Sequence, residues 1–116
     1  MRTVLVVDDH PSFRASARAV LEEGGYLVSG EAWDGSTALE RCTELAPDLV
    51  LLDVQLPDMT GFEVCDRLRA TALRPAVILV SSREASDYGD LIADSGALGF
   101  ISKADLSGPA VDALMP

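Results

Sequence analysis

Along the chain, short runs of apolar residues alternate with longer segments in which apolar side chains recur every three or four positions. The runs are rich in Val, Leu and Ile, which is typical of strands, whereas the wider spacing is typical of amphipathic helices. The apolar runs predict strands at Thr3–Val7, Tyr26–Glu31, Leu49–Leu52, Ala76–Val80 and Gly99–Ser102. The spaced segments predict helices at Ser12–Glu23, Thr37–Leu45, Phe62–Ala70, Asp87–Asp94 and Gly108–Leu114.

The strict alternation of strands and helices predicts an α/β fold, because a helix that joins two neighbouring strands makes them parallel. The first, third and fourth strands are apolar on both faces, as expected where helices cover both sides of a sheet. Asp87–Asp94 is the weakest predicted helix, because Gly89 and the Asp residues have low helix propensity. No repeat or linker interrupts the pattern, so we expect residues 1–116 to form one domain.

The charge balance narrows the classes of function. The 116 residues include 19 Asp and Glu but only 9 Lys and Arg, which gives a formal net charge of −10. We expect no direct binding to nucleic acid, because that requires clustered Lys and Arg, whereas a cationic cofactor or a basic protein partner fits. No apolar run is long enough to span a membrane, and the chain starts in a strand-like run without a secretory signal. Cys42 and Cys65 lie in two different predicted helices and are interpreted as reduced, part-buried thiols. Reduced thiols are typical of the cytoplasm, so we expect a cytoplasmic protein.

Polar side chains follow the predicted strands at their carboxyl ends. In open parallel sheets these ends lie along one edge, and ligands bind there. The residues at these positions are Asp8, Asp9, Asp53, Ser81, Ser82 and Lys103. The sequence therefore predicts that three carboxylates, a hydroxyl group and an ammonium group gather at one edge of the sheet.

Such a cluster of carboxylates is unfavourable by itself, since each pair costs roughly 3 kcal/mol at a separation of ~5 Å and an effective dielectric near 20. A divalent cation offsets the repulsion, and carboxylate oxygens with access to water suit Mg²⁺. The cation would also neutralise an anionic group that approaches one carboxylate. A carboxylate can attack phosphorus and form an aspartyl phosphate, with Ser81 and Lys103 available to contact the phosphoryl oxygens.

Four stretches resemble the receiver domain of bacterial two-component response regulators, in the right order and spacing. They are VDDHPSFR, LVLLDVQLPDMTGFEV, VILVSSRE and GALGFISKADL, and together they cover nearly the whole chain. DDHP, and Ala-Asp after the lysine, are most similar to the subfamily that often carries a C-terminal helix-turn-helix domain of the LuxR/NarL type. The resemblance implies a flavodoxin-like fold, with a five-stranded parallel sheet in the order 2-1-3-4-5 flanked by five helices.

The resemblance also implies how the acidic residues work. Asp53 is the expected phosphoacceptor, which takes a phosphoryl group from a phosphohistidine on a sensor histidine kinase. Asp9 and Asp53 are expected to bind Mg²⁺ directly, Asp8 mainly through water, and Gln55 through its backbone carbonyl. His10 is interpreted as a loop residue that lines this site.

The resemblance also gives three further residues a role in the response to phosphorylation. Ser81 is the expected switch hydroxyl, Lys103 the phosphate-binding ammonium, and Phe100 the aromatic switch residue. Ser81 lacks the methyl group of the more frequent Thr, and Phe100 lacks a phenol. Ala104 stands where Pro is frequent, and a cis bond to Ala would cost ~3 kcal/mol, so the usual cis geometry is not expected. Phosphorylation is expected to change the face of the fourth helix, fifth strand and fifth helix, and to recruit an output partner or a second copy.

Alternatives for organisation and class stay open. Because the last predicted helix is short, the chain is either a single-domain regulator or a receiver from a longer transcription regulator, and we favour the second.

A phosphatase of the haloacid dehalogenase type needs an Asp-x-Asp motif after the first strand, whereas Asp8 and Asp9 are contiguous. The main alternative is a receiver fold that serves only for docking and is never phosphorylated. We expect a signalling domain with at most slow self-dephosphorylation, not an enzyme.

Overall fold

A single parallel sheet with helices on both faces makes up the computed structural model, which describes all residues from Met1 to Pro116. The strands are β1 (Thr3–Val7), β2 (Leu27–Ala32), β3 (Leu49–Asp53), β4 (Ala76–Ser81) and β5 (Gly99–Ser102). The helices are α1 (Pro11–Glu23), α2 (Gly35–Leu45), α3 (Gly61–Arg69), α4 (Leu91–Asp94) and α5 (Gly108–Leu114), with 3-10 turns at Ala85–Tyr88 and Lys103–Asp105. The strand order β2-β1-β3-β4-β5 confirms the predicted fold.

The core consists of two apolar layers, one on each side of the sheet. Side chains of successive strand residues point to opposite faces, so Val4 and Val6 of β1 pack in the layer that includes α1 and α5. Leu5 and Val7 pack in the other layer, with α2 and α3. All four are fully buried. Because β1 is held on both faces, the residues that follow it are held in place as well.

The two cysteines lie deeper in this core than predicted. Cys42 of α2 and Cys65 of α3 are buried free thiols, not part-buried ones, because each occupies the side of its helix that faces the sheet. Burial raises the pKa of each thiol to about 11. Both therefore stay protonated and unreactive at neutral pH.

The helix starts follow from their first residues. α1 begins at Pro11, one residue before the predicted start, because proline lacks the N–H group that the first turn of a helix leaves unpaired. Asp34 and Thr37 form a capping box at the start of α2, and the hydroxyl of Thr60 caps α3. The longest helix, α1, has 13 residues, and no helix has both the length and the apolar character needed to cross a membrane.

The prediction of one continuous helix over Asp87–Asp94 is wrong. The chain instead forms the 3-10 turn Ala85–Tyr88 and then the four-residue helix α4, and neither contains a buried side chain. Gly89 separates the two with φ +56° and ψ −129°, a backbone conformation that interrupts a helix and that other residues rarely adopt.

Candidate functional site

The carboxyl edge of the sheet carries the predicted group of charged residues. Asp8 and Asp9 directly follow β1, Asp53 ends β3, and Lys103 directly follows β5. An open cleft at this edge is lined by Asp9, His10, Asp53, Gln55, Leu56, Pro57, Ser82 and Lys103. Asp8 is fully buried and Asp53 is 3% exposed. The fold therefore brings residues from distant parts of the chain to one place.

Lys103 compensates part of the negative charge. Its Nζ lies 2.6 Å from Asp8 Oδ2 and 3.3 Å from Asp53 Oδ2, and it also lies 4.5 Å from the centre of the Phe13 ring. Burial by itself lowers the pKa of Lys103, but the hydrogen bond and charge of Asp8 and the charge of Asp53 outweigh burial and raise it. The ammonium group is thus charged and held against the two carboxylates.

The surroundings of Asp53 disfavour its ionisation. Burial, followed by the negative charge of Asp8, raises the pKa of Asp53 to about 6, against the lowering effects of the Gln55 amide and Lys103. The Gln55 N–H donates to Asp53 Oδ1 at 3.2 Å. Any further positive charge near these oxygens would favour the ionised form of Asp53.

The donor atoms of the cluster fit a divalent cation. Oδ1 of Asp9 is buried and accepts no hydrogen bond from the protein. Asp8 Oδ2 has the ion pair with Lys103, whereas Asp9 Oδ1 has only His10 Nδ1 beside it, at 3.1 Å. Potential ligand atoms of Asp8, Asp9, His10 and Asp53 all lie within 4.8 Å of one another. Three carboxylates and one ammonium leave two negative charges, which suits a hard cation such as Mg²⁺.

The loop after β3 places Gln55 beside the cleft. Gln55 forms an antiparallel bridge with Thr60, and the amide of Gly61 donates to the Val54 carbonyl at 2.7 Å. A side chain at Gly61 would lie 2.6 Å from the Asp53 carbonyl oxygen, so only glycine lets the loop fold over the end of β3. The backbone of Gln55 is thereby fixed next to Asp53, where a carbonyl ligand was predicted.

The two predicted switch residues lie in β4 and β5 and do not line the cleft. Ser81, 1% exposed at the end of β4, has its Oγ 2.6 Å from the phenol oxygen of Tyr88. Phe100 is half-buried in β5, with its ring centre 5.9 Å from that of Tyr88. Tyr88 therefore contacts both residues. Sequence reasoning missed it, because nothing in the polar segment around Tyr88 indicates a partner.

Two further residues that hold the site in place were also missed. Arg14 Nη1 donates to the backbone carbonyl of Asp8 at 2.6 Å, which fixes the connection from β1 to α1. Asp58 accepts a hydrogen bond of 2.7 Å from the Gly35 amide, which ties the loop after β3 to the start of α2. An Arg within an amphipathic helix and an Asp within a loop are too common to stand out in a sequence.

Comparison with known families agrees with this fold. Residues 4–107 match the response regulator receiver domain. The match covers most of the chain, and the chain therefore belongs to the receiver-domain family of two-component response regulators. The predicted family is confirmed.

Two similar curated proteins are transcription regulators. The DNA-binding transcriptional activator EvgA of Escherichia coli K12 is 35% identical over 101 residues, which are 87% of this chain and 50% of EvgA. BvgA of Bordetella pertussis, a transcription regulator of virulence factors, is 36% identical over 100 residues, which are 86% of this chain and 48% of BvgA. The chain thus spans about half the length of these curated relatives.

Solved structures give the same picture. The signal receiver domain of the response regulator NarL from Mycobacterium tuberculosis superposes with a TM-score of 0.86 at 33% identity, covering 97% of this chain and 95% of that one. A two-component response regulator of the LuxR family from Aurantimonas sp. superposes with a TM-score of 0.88 at 28% identity, covering 98% of this chain and 82% of that one. These similarities support the predicted subfamily.

Proposed function

We propose that residues 1–116 form one receiver domain that accepts a phosphoryl group on Asp53 from the phosphohistidine of a sensor histidine kinase. The observation that carries the proposal is the meeting of Asp53 with Asp8, Asp9 and Lys103 at an open cleft. A buried carboxylate between two other acids and one ammonium group has little structural value, because its burial costs free energy. The same arrangement is useful for binding a cation and an anionic phosphoryl group together.

Mg²⁺ is the proposed cofactor. Asp9 and Asp53 would hold it directly, Asp8 mainly through water, and Gln55 through its backbone carbonyl. Oδ1 of Asp9, which is buried and accepts no hydrogen bond from the protein, is the feature of this chain that best supports the assignment. When bound, the ion supplies positive charge that lets the anionic phosphoryl group approach a carboxylate.

The transfer itself is a substitution at phosphorus. An oxygen of Asp53 forms a bond to phosphorus while the bond from phosphorus to the kinase histidine breaks, and the histidine keeps the electron pair of that bond. Lys103, already 3.3 Å from Asp53 Oδ2, pairs with a phosphoryl oxygen, and the Ser81 hydroxyl donates to another. The chain acts as a signalling domain with at most slow self-dephosphorylation.

The signal leaves the site through the face formed by α4, β5 and α5. Phosphorylation adds charge next to Ser81 and Lys103, and the response reaches Phe100 in β5. The changed face recruits an output partner or a second copy of the chain. The pathway is cytoplasmic, and the output of the longer parent protein is control of transcription. The domain itself binds neither nucleic acid nor membrane, consistent with its net charge of −10.

Intact-mass measurement after incubation with acetyl phosphate and Mg²⁺ tests the central chemistry. We expect the wild type to gain one phosphoryl group, and Asp53→Asn to gain none because its side chain lacks a nucleophilic oxygen anion. Chelation of the divalent cation abolishes labelling of the wild type. Glu63→Gln is the matched control, since Glu63 is an exposed acid in the first turn of α3, outside the cluster, and this variant labels like the wild type.

Absence of labelling in the folded wild type would contradict the proposal. It would favour the alternative, a pseudo-receiver that docks partners without phosphorylation. Steady turnover of a small phosphomonoester would instead indicate a phosphatase.

A further inference from the structure

The phenol of Tyr88 makes a direct contact with the switch hydroxyl. Tyr88 lies in the 3-10 turn that follows β4, and its phenol oxygen is 2.6 Å from Ser81 Oγ, a short hydrogen bond. Neither the metal site nor the phosphoryl transfer described above uses Tyr88. Its position, seven residues after Ser81, puts it outside the cleft around Asp53.

The hydrogen bonds of Ser81 keep its hydroxyl away from that cleft. Ser81 Oγ accepts a hydrogen bond of 3.0 Å from the Arg83 amide and shares the second one with Tyr88. Ser81 is 1% exposed, and the serine that lines the cleft is Ser82. Where Ser81 donates to Tyr88, turning its hydroxyl toward a phosphoryl group on Asp53 breaks this hydrogen bond, because a serine has a single hydroxyl hydrogen.

The ring of Tyr88 connects this hydroxyl to the other predicted switch residue. Its centre lies 5.6 Å from that of Phe62 in an edge-to-face arrangement and 5.9 Å from that of Phe100 in a tilted one. Such aromatic contacts hold the ring in place independently of its hydroxyl. Phe100 has no phenol of its own, so Tyr88 is the aromatic residue in this group that can form a hydrogen bond with Ser81.

We infer that Tyr88 is a positioning residue that holds the Ser81 hydroxyl in its unphosphorylated orientation and thereby opposes the phosphorylated state. The inference rests on the proposed phosphorylation of Asp53 and deepens it. On phosphorylation, Ser81 exchanges the phenol of Tyr88 for a phosphoryl oxygen. The Tyr88 ring packs against Phe100, and this contact links the switch hydroxyl to β5.

Beryllofluoride, a mimic of the phosphoryl group, tests the inference when it is titrated in the presence of Mg²⁺. Tyr88→Phe keeps the ring between Phe62 and Phe100 but removes the hydrogen bond from the unphosphorylated state alone. We expect this variant to bind beryllofluoride roughly two- to tenfold more tightly than the wild type, the effect of one neutral hydrogen bond lost from one state. Isothermal calorimetry gives both affinities.

Two controls separate positioning from a general effect on the fold. Tyr26→Phe removes the other phenol of the chain, which donates to Asp112 far from the cleft, and should leave the affinity unchanged. In a Ser81→Ala background, Tyr88→Phe should also have no effect, because the hydroxyl that Tyr88 positions is absent. A double-mutant cycle with Tyr88→Phe and Ser81→Ala therefore isolates the coupling between them.

Tyrosine labelled with ¹³C at Cζ provides an independent spectroscopic measurement. The chain has two tyrosines, so two resonances are expected, and Tyr88→Phe identifies one of them. Ser81→Ala and beryllofluoride should each shift the Tyr88 resonance, since each removes its hydrogen-bond partner, while the Tyr26 resonance stays in place.

The outcomes distinguish this inference from the proposed function. A folded wild type that fails to bind beryllofluoride and to label with acetyl phosphate overturns the proposed function, and the role of Tyr88 with it. A wild type that binds, combined with a Tyr88→Phe affinity that is unchanged or weaker, overturns only the role of Tyr88. An effect of Tyr88→Phe that is equally large with and without the Ser81→Ala substitution overturns it as well.

Discussion

The acid-bearing region (residues 1–70) and the connecting segment (residues 82–105) differ in how their side chains are held. The acid-bearing region has helices of 13, 11 and 9 residues, each with buried side chains against the sheet. In the connecting segment, α4 and the two 3-10 turns have four, four and three residues and no buried side chain. The three acids of the cluster belong to the first region, whereas Tyr88, Phe100 and Lys103 belong to the second.

This difference separates binding from response. Asp8 and Asp53 directly follow or end buried strands, so their carboxylates are positioned before any ligand binds. Outside β5, the connecting segment buries no apolar side chain, and such segments move at low cost. A phosphoryl group on Asp53 would therefore change the arrangement of the connecting segment and leave the acid-bearing region almost unchanged.

The largest expected contrast between the two regions is in the cost of truncating a leucine. Leu51 of β3 is fully buried, so Leu51→Ala should lower the free energy of unfolding by about 2–5 kcal/mol. Leu91 of α4 is 53% exposed, and Leu91→Ala should change the free energy of unfolding by less than about 0.5 kcal/mol. Urea unfolding followed by circular dichroism measures both. Similar losses for the two variants would show that α4 is packed as firmly as the sheet.

A smaller contrast is expected at the helix starts. The Asp34 carboxylate accepts a hydrogen bond of 2.7 Å from the Thr37 amide at the start of α2, so Asp34→Ala should cost about 1 kcal/mol of stability. Asp90 occupies the same position before α4 without a side-chain hydrogen bond, and Asp90→Ala should lie within about 0.5 kcal/mol of the wild type. Thermal unfolding of the two variants compares them directly. An equal loss at Asp90 would contradict the weak capping of α4.

The smallest effect is expected for the ion pairs that join α1 to β2. Glu31 accepts from Arg18 at 2.8 Å and from Arg14 at 3.0 Å, and the hydrogen bond from Arg18 is the main cause of its lowered pKa. A carboxylate with a lowered pKa in the folded state stabilises the protein at neutral pH, and this stabilisation is lost as the pH falls through its titration range. Glu31→Gln should therefore reduce stability at neutral pH by about 0.2–1 kcal/mol and have less effect in acid.

The control for this variant is Glu44→Gln. Glu44 forms an exposed pair with Arg41 at 3.6 Å and should contribute nothing measurable. Melting temperatures of both variants across the acidic range provide the measurement. A Glu31→Gln penalty that stays constant down to acid pH would show that the loss comes from packing and not from charge.

Much of the fold could be predicted because its signals are local. The apolar runs that became β1, β3 and β4 were recognisable since buried parallel strands are apolar on both faces. The positions of Asp8, Asp9, Asp53 and Lys103 at one edge followed from the strand ends alone. The split of the predicted helix at Gly89 was missed, because a low helix propensity does not specify which backbone angles a glycine will adopt.

The order of strands and helices, the family, and the charged residues of the carboxyl edge can all be inferred from the amino-acid sequence, because periodicity and motif spacing are properties of the linear chain. Three features arise only in the folded chain: the Ser81 hydroxyl contacts the phenol of Tyr88, Arg14 donates to the Asp8 carbonyl, and one buried oxygen of Asp9 accepts no hydrogen bond. These contacts depend on distances between side chains of different elements. Such distances are set by the packing of helices on the sheet and not by any local pattern.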